Sequence, residues 1–247
     1  SGDMTMPEEV NRILTDRISD FLFVTEQSGL DNLKTEGVPD DKVFFVGNCM
    51  IDALVHFREK AASSTVLAEL GLDAQGYILM TMHRPATVDH QEGLTKMVEL
   101  VEKLAAHRPV VLPLHPRTRN RLAETGLDAR FEAIENMHLL EPQGYLEFLH
   151  LMERAAAVVT DSGGVQEETT YLQVPCITLR PSTERPITIT MGTNVLMDLD
   201  PPVVEAQVGR FLADGATGQI PPLWDGGAAE RIVDVLEEAF HAQPVSA

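Results

Sequence analysis

The chain has 247 residues, 44% of them hydrophobic, which is enough for one large α/β domain or for one domain and part of another. Its 38 acidic and 19 basic residues give a net charge of −19, which argues against nucleic acid or an anionic membrane as a general partner. No apolar run is long enough to span a membrane, and the first residues lack the pattern of a signal peptide, so we expect neither feature.

The N-terminal part is predicted to contain one helix followed by short buried strands. Thr5 and Glu8 have capping-box spacing, with Pro7 in the first helical turn. The region up to about residue 45 contains too few elements for a domain, so we interpret it as the end of one. The predicted elements are a helix from Pro7, strands over 21–24 and 43–46, and helices over 52–62 and 65–70, the last closed by Gly71.

Strands and helices alternate regularly from residue 77 onward. This alternation predicts an α/β fold with right-handed βαβ units and a parallel, doubly wound, Rossmann-like sheet. The predicted strands are 77–82, 109–114, 138–140, 156–160 and, as the last one, 176–179, and the predicted helices are 89–106, 119–124, 144–155, 165–172, 203–213 and 228–241.

Ligands of such sheets bind beyond the carboxyl ends of the strands, where loops enter the helices. The loops expected to carry function are therefore 83–89, 115–118, 141–145, 161–165 and 180–186.

The two cysteines, Cys49 and Cys176, are far apart, and each lies in an apolar segment. This placement predicts buried free thiols and not a disulfide, in agreement with a reducing cytoplasm.

The segment from Thr160 to Glu168 is the most informative stretch of the chain. It joins a buried strand to a helix through Ser162, Gly163 and Gly164. Small residues at that place let backbone N–H groups converge on an anion at the positive end of the helix, and the serine adds a hydroxyl donor. Glu168 could accept from ribose hydroxyls. The alternative is a tight turn whose acidic first helical turn complements the helix dipole.

Three further basic segments follow strands of the predicted sheet. Arg185, between Glu184 and Pro186, could bind a phosphate or hold a carboxylate, and the alternative is a surface pair with Glu184. His83 and His115 end two strands, and each is followed within two residues by an arginine. These groups would supply local positive potential, whereas a lone histidine is more often structural. The sequence offers no metal-ligand spacing, no Gly-x-Gly-x-x-Gly and no Walker loop.

Glu8 and Arg12 are spaced as an i,i+4 pair on the first predicted helix. From the residues alone, this pair is interpreted as local helix support.

In order, the motifs resemble the signatures of the non-hydrolysing UDP-N-acetylglucosamine 2-epimerases, which have a GT-B-like fold of two Rossmann-like domains. The resemblance runs from about residue 4 to residue 240. The motifs that carry it are Pro7-Glu8-Glu9-x-Asn11-Arg12, Val46-Gly47-Asn48-x-x-Ile51-Asp52, Thr81-x-His83-Arg84-Pro85, His115-Pro116, Glu141-Pro142-x-x-Tyr145-x-x-Phe148, Thr160 to Glu168, Thr183-Glu184-Arg185-Pro186 and Gly192-Thr193-Asn194.

The resemblance implies interconversion of UDP-N-acetylglucosamine and UDP-N-acetylmannosamine, with UDP as the group that leaves and returns, no cofactor, and a homodimeric cytoplasmic enzyme. It implies that Glu8, Arg12 and His83 are catalytic. The residues implied to bind the substrate or UDP are Arg84, His115, Gln143, Phe148, Ser162, Gly163, Gly164, Glu168 and Arg185.

On the same resemblance, residues 1–47 are the end of an N-terminal Rossmann-like domain, 48–215 form the UDP-binding domain, and 216–247 carry a helix that returns toward the first domain. Most of that N-terminal domain, with further carboxylates and basic substrate contacts, is expected to have no counterpart in this sequence.

Three alternatives to an epimerase stay open at this point. A hydrolysing relative would release N-acetylmannosamine, a GT-B glycosyltransferase would also bind UDP through a ribose-holding acid, and a silent domain would bind UDP-sugar without turnover. The Thr-Glu-Arg-Pro and Pro-Glu-Glu segments favour the epimerase over the glycosyltransferase.

Overall fold

A computed structural model describes Met4 and residues 7–241, so the predicted capping residue Thr5 lies outside the described part. The chain divides into two compact units. The first contains the residues up to His56 together with those from Pro221 onward, and the second runs from Phe57 to Ile220. Within the described part, no helix is long and apolar enough to cross a membrane.

The first unit is built around a two-stranded parallel sheet in which Leu22 pairs with Val43. A small core of Leu22, Val24, Leu33 and Val38 packs beneath it. The elements of this unit are α1 (Pro7–Ile18), β1 (Leu22–Val24), α2 (Gln27–Thr35), a 3₁₀ turn (Asp40–Lys42), β2 (Val43–Phe45), the beginning of α3 (Cys49–Ala62), and the last helix of the chain, α13 (Ala228–His241).

The second unit contains a six-stranded parallel sheet with the strand order β5-β4-β3-β6-β7-β8. The chain therefore starts in the middle of the sheet, builds outward to one edge, and returns to build the other half. This arrangement confirms the predicted parallel, doubly wound α/β fold. The strands are β3 (Ile78–Thr81), β4 (Val110–Pro113), β5 (Met137–Leu140), β6 (Ala157–Thr160), β7 (Cys176–Leu179) and β8 (Asn194–Met197).

Helices connect these strands and cover the sheet. Ile78, Leu79 and Met80 are successive residues of β3 and all are fully buried, which shows that both faces of the sheet are covered. The helices are α4 (Val66–Leu70), α5 (Pro85–Val88), α6 (Gln91–Ala105), α7 (Pro116–Glu124), α8 (Asp128–Glu132), α9 (Tyr145–Glu153), α10 (Gly163–Leu172), α11 (Ile187–Thr190) and α12 (Pro201–Asp214).

The large core of the second unit lies between the sheet and the apolar faces of α6 and α12. Leu94, Met97 and Leu104 of α6 and Val204 and Val208 of α12 are fully or almost fully buried there. Burial of one such side chain contributes roughly 1.5–3 kcal/mol, so this layer makes the sheet a rigid support for the loops at its edge.

Two of the predictions made from the sequence are wrong. The last parallel strand is β8 and not 176–179, because Asn194–Met197 pairs with β7 at the sheet edge. Only Asn194 of that strand is buried, so the segment lacks the apolar run that marks an internal strand. Both cysteines are free, but Cys49 is exposed on the first turn of α3, and only Cys176 is buried as predicted.

Candidate functional site

The reversal of strand order places the ends of β3 and β6 side by side. The two strands pair from Ile78 with Ala157 to Thr81 with Thr160, and the hydroxyls of Thr81 and Thr160 lie 2.7 Å apart. His83 and Arg84 follow one strand, and Asp161 and Ser162 follow the other. This is the position at which open α/β sheets bind ligands.

Asp161 joins these two strand ends. Its fully buried carboxylate accepts hydrogen bonds from the backbone N–H of His83 at 3.0 Å and of Arg84 at 2.9 Å. It also lies 3.0 Å from Nδ1 of His83. These partners compensate for the burial of a carboxylate. Asp161 was not among the site residues predicted from the sequence, although an aspartate directly after a fully buried strand is a usable signal.

The bond to Asp161 favours the protonated form of His83 at the opening of the site. The hydrogen bond raises the pKa of the His83 imidazole, burial opposes this, and the side chain is 55% exposed. Arg84 is fixed beside it, because its Nε donates to the Asp161 carbonyl at 2.9 Å.

The first turn of α10 provides the neighbouring set of donors. Ser162 is the N-cap residue, and its backbone N–H donates to the Thr160 hydroxyl at 3.0 Å. The Ser162 side chain makes no capping hydrogen bond to its own helix. The first amides of a helix have no partner within it, so Gly163 and Gly164 present their N–H groups at the positive end of the helix dipole, beside the Ser162 hydroxyl.

Arg185 lies directly against this helix start. A Cβ atom on Gly163 would lie 2.7 Å from Nη1 of Arg185, so only glycine leaves room for the guanidinium. Nε of Arg185 is 2.8 Å from the Glu167 carboxylate, an ion pair without hydrogen-bond alignment. The Nε edge of the guanidinium is thus held by Glu167, and about a third of the Arg185 side chain is exposed.

Glu184 is held mainly by another arginine. The buried Arg180 donates to both of its carboxylate oxygens at 2.8 and 3.0 Å, which lowers the pKa of Glu184. Arg185 is farther from the same carboxylate, at 3.6 Å. The alternative interpretation of this motif, a pair between Arg185 and Glu184, is thus present in the structure, but the shorter ion pair of Arg185 is the one with Glu167.

Glu168 lies one turn further along α10 and is buried. The Tyr145 hydroxyl donates to its Oε1 at 3.2 Å. Burial raises the pKa of Glu168 to about 7; the Tyr145 bond lowers it, and the neighbouring Glu167 raises it further. Tyr145 is the first residue of α9, so this bond brings the segment with Gln143 and Phe148 beside α10. The Gln143 amide donates to the Glu141 carbonyl at 2.7 Å, and Phe148 is half-buried.

His115 has a structural contact of its own at the end of β4. It is the N-cap of α7, and its Nδ1 accepts from the Arg117 N–H at 3.2 Å. The Arg117 guanidinium pairs with Asp89 at 2.6 Å. The two strand ends with His and Arg thus differ, because Arg84 binds the backbone of Asp161, whereas Arg117 pairs with a surface carboxylate.

Glu8 and Arg12 belong to the first unit. Glu8 is exposed, and the predicted Glu8–Arg12 pair is wrong. Arg12 instead contacts Glu9 at 2.9 Å, Asp16 at 2.7 Å and Glu36 at 2.6 Å, which raises its pKa. Glu36 at the end of α2 draws the guanidinium away from the exposed side of α1.

The doubly wound sheet, with a glycine-containing helix start at its carboxyl edge and a buried carboxylate one turn inside that helix, defines a Rossmann-like α/β domain. The chain belongs to the UDP-N-acetylglucosamine 2-epimerase family, whose model matches residues 1–237. The family predicted from the sequence motifs is thereby confirmed.

Relatives and solved structures agree with this assignment. A UDP-N-acetylglucosamine 2-epimerase of Methanococcus maripaludis is 37% identical over 241 residues, which are 96% of this chain and 66% of the relative. A UDP-2,3-diacetamido-2,3-dideoxy-D-glucuronate 2-epimerase of Pseudomonas aeruginosa is 40% identical, over 96% of this chain and 65% of that protein. The chain thus spans slightly less than two thirds of these relatives.

Among solved structures, the Methanocaldococcus jannaschii UDP-GlcNAc 2-epimerase in complex with UDP-GlcNAc and UDP is similar with a TM-score of 0.84 and 38% identity. The similarity covers 96% of this chain and 66% of that one. The Neisseria meningitidis enzyme bound to UDP-GlcNAc has a TM-score of 0.82 and 30% identity, over 96% and 67% of the two chains.

Proposed function

We propose that this chain binds the UDP part of a nucleotide sugar and takes part in the C2 epimerisation of UDP-N-acetylglucosamine and UDP-N-acetylmannosamine. The observation that carries the proposal is the placement of the Arg185 guanidinium against Gly163, at the N-terminus of α10. A guanidinium and a helix start that converge on one spot fit a diphosphate, because both favour negative charge there.

In the proposed reaction, the sugar C2 loses its proton as the C1–O bond to UDP breaks, which gives a 2-acetamidoglucal. UDP then adds back to C1, and a proton is delivered to the opposite face of C2. Arg185, His83 and the Ser162–Gly164 segment would stabilise the negative charge that develops on the departing UDP. Glu8, which is exposed, is the proposed carboxylate for proton exchange at C2, and Arg12 is proposed to support it.

The remaining proposed contacts place the nucleoside. Glu168 would accept from the ribose hydroxyls in place of the Tyr145 hydroxyl, and Gln143 and Phe148 would line the uracil. Arg84 and His115 would add positive potential along the same sheet edge. From the family resemblance we also propose a homodimer, and the two free cysteines support a cytoplasmic location.

A second candidate substrate is UDP-2,3-diacetamido-2,3-dideoxy-D-glucuronate. It is favoured by the 40% identity to the Pseudomonas aeruginosa enzyme named for that sugar, which exceeds the 37% of the Methanococcus maripaludis enzyme. The chemistry at C2 would be the same, and the sugar would differ by an acetamido group and a carboxylate. Rates measured side by side with the two nucleotide sugars distinguish the candidates.

The test of the proposed function has two stages. Titration of UDP and uridine should show that UDP binds more tightly, and Arg185→Ala should weaken UDP by about ten-fold or more while uridine is unaffected. Incubation with each nucleotide sugar in deuterated water then identifies the reaction. Deuterium at C2 with the nucleotide retained indicates an epimerase, free sugar indicates a hydrolase, and binding without either indicates a silent domain. Equal affinity for uridine and UDP would refute the diphosphate site.

A further inference from the structure

Gln166, in the second turn of α10, contacts both segments of the proposed diphosphate site. Its side chain is fully buried. The amide Nε2 donates to the Ser162 carbonyl at 3.3 Å, and Oε1 accepts from the Thr183 hydroxyl at 2.8 Å. One side chain therefore joins the start of α10 to the loop that follows β7.

Thr183 connects Gln166 to the backbone of Arg185 by two hydrogen bonds. Its hydroxyl oxygen accepts from the Arg185 N–H at 3.1 Å while its hydrogen goes to Gln166. The Arg185 carbonyl is held as well, because the Thr188 hydroxyl donates to it at 2.8 Å. Both polar backbone groups of Arg185 are thus fixed by hydroxyls.

The network closes through Asn194 on the edge strand β8. Its Nδ2 donates to the Gln166 Oε1 and to the Thr188 oxygen, both at 3.3 Å, and its Oδ1 accepts from Thr178 at 2.7 Å. A buried polar network whose members all have partners is rigid and specific, and it is disrupted when one member is lost. An amide suits the centre of this network, because it donates and accepts at once, whereas a carboxylate could not donate to Ser162.

We propose that Gln166 is a positioning residue that fixes the spacing between the Ser162–Gly164 segment and Arg185, so that both close on the same diphosphate. This inference rests on the proposed UDP-binding function. Gln166 does not itself touch the ligand in this proposal. Its effect should therefore pass through Arg185 and concern the phosphates only.

A double-mutant cycle in the full 247-residue chain tests the proposal. Gln166→Met keeps the length of the side chain and removes its three hydrogen bonds, to Ser162, Thr183 and Asn194. We expect it to weaken UDP roughly five-fold or more and to change uridine affinity by less than about two-fold. The double variant with Arg185→Ala should bind UDP within about two-fold of Arg185→Ala alone, because residues that act as a unit are not additive.

Two further variants complete the experiment. Thr170→Val is the matched control, because Thr170 is also fully buried on α10 and its hydroxyl has no hydrogen-bond partner. It should leave the ratio of UDP to uridine affinity unchanged. Thr183→Val breaks the link between Gln166 and Arg185 from the loop side. It replaces Gln166→Met in the double-mutant cycle if Gln166→Met does not fold.

The outcomes separate the two proposals. If UDP binds more tightly than uridine but the losses of the two variants multiply, or Gln166→Met weakens both ligands equally, the positioning role is overturned and the UDP site stands. If the unmodified chain does not prefer UDP over uridine, both proposals fall.

Discussion

At the residue scale, the pairing of His83 with Asp161 has a consequence for binding. The hydrogen bond from the imidazolium to Asp161 raises the His83 pKa above its ordinary value of 6.5. The positive charge is therefore present below that value and is lost as the pH rises through the higher pKa of the folded protein. The contribution of the His83–Asp161 pair to the free energy of unfolding is likewise lost as the pH rises through that pKa.

UDP affinity should accordingly fall as the pH rises above 6.5. Because His83 is more than half exposed, we expect a loss of roughly three- to ten-fold and not more. Calorimetric titration across this range measures it. The His83→Asn variant should bind UDP more weakly at pH 6.5 and show a flat pH profile, and uridine is the ligand control. An unchanged profile in the variant would assign the fall to another group.

Glu168 should produce a second pH effect in the same direction, this time on stability. Its folded-state pKa of about 7 lies above its ordinary 4.5, so the folded protein holds a proton that the unfolded chain releases. Stability is therefore lost as the pH rises from 4.5 to 7, by on the order of 3 kcal/mol. Glu168→Gln should unfold at a higher temperature than the unmodified chain at pH 8, and the gain should vanish near pH 4.5. A constant difference between the two proteins at all pH values would contradict this account.

The same substitution also tests the proposed ribose contact. Glu168→Gln should weaken the binding of UDP more than it weakens the binding of a 2′,3′-dideoxy analogue. The reason is that a carboxylate accepts from two vicinal hydroxyls better than an amide does. Equal losses for the two ligands would leave Glu168 with a structural role only.

Residues that lie at strand ends could be predicted from the sequence, because parallel topology alone places them at one edge of the sheet. This reasoning anticipated His83, Ser162 and Arg185. It did not find Asp161 or Gln166, whose roles depend on partners distant in the sequence, such as the Arg84 backbone for Asp161 and Thr183 for Gln166. The predicted pair of Glu8 with Arg12 failed partly for the same reason, since Glu36, 24 residues away, competes for the guanidinium together with the local carboxylates of Glu9 and Asp16.

At the element scale, elements with a clear apolar pattern could be predicted, including the short strands β1 and β2, whereas elements without one could not, including the nine-residue helix α2. The helix α6 and the strand β3 follow from their apolar patterns, whereas α5, α8 and α11 have four or five residues and no measurable period. The edge strand β8 is half-buried and was missed, although it carries Asn194 into the polar network around Gln166.

The start of α10 can be tested as an element with a glycine substitution. In Gly163→Ala the added methyl group meets the end of the flexible Arg185 side chain, so the guanidinium moves and the backbone does not. We expect stability to be unchanged within about 1 kcal/mol, and UDP affinity to fall by about ten-fold, as in Arg185→Ala. Chemical denaturation and calorimetric titration measure the two effects.

Gly209→Ala in α12 is the matched control for this substitution. Its added methyl group meets open space, so the change should stabilise the helix by about 0.5–1 kcal/mol and leave UDP binding unaltered. A large loss of stability in Gly163→Ala, or normal UDP binding by it, would mean that the guanidinium does not depend on the space above Gly163.

At the scale of the whole molecule, the net charge of −19 repels an anionic ligand. Screening limits this repulsion to about 8–10 Å at physiological salt, so nearby positive groups decide the local potential. His83, Arg84 and Arg185 all follow strands at the carboxyl edge of one sheet. The proposed diphosphate site therefore depends on the cations gathered at that edge, and not on the net charge of the whole chain.

The share of its relatives' length that this chain covers leads to a prediction about the rate of epimerisation. Its 247 residues cover 66% of the Methanocaldococcus jannaschii relative. Epimerisation needs an acid and a base around C2 and a site that shields the glucal from water. We expect the chain alone to bind UDP but to exchange the C2 proton slowly, and fusion to the uncovered portion of that relative to raise the exchange rate by several orders of magnitude.

Glu8→Gln in the fused protein is the decisive variant, because it separates proton transfer from nucleotide binding. The carboxylate is proposed to act on the sugar C2 and not on UDP, so deuterium exchange at C2 should fall by roughly a thousand-fold while UDP affinity changes by less than about two-fold. Asp41→Asn removes another exposed carboxylate of the same unit and should alter neither quantity. Full exchange activity in Glu8→Gln would exclude it as the base. An ordinary enzymatic rate in the unfused chain would show instead that these 247 residues already hold every group that the reaction at C2 requires.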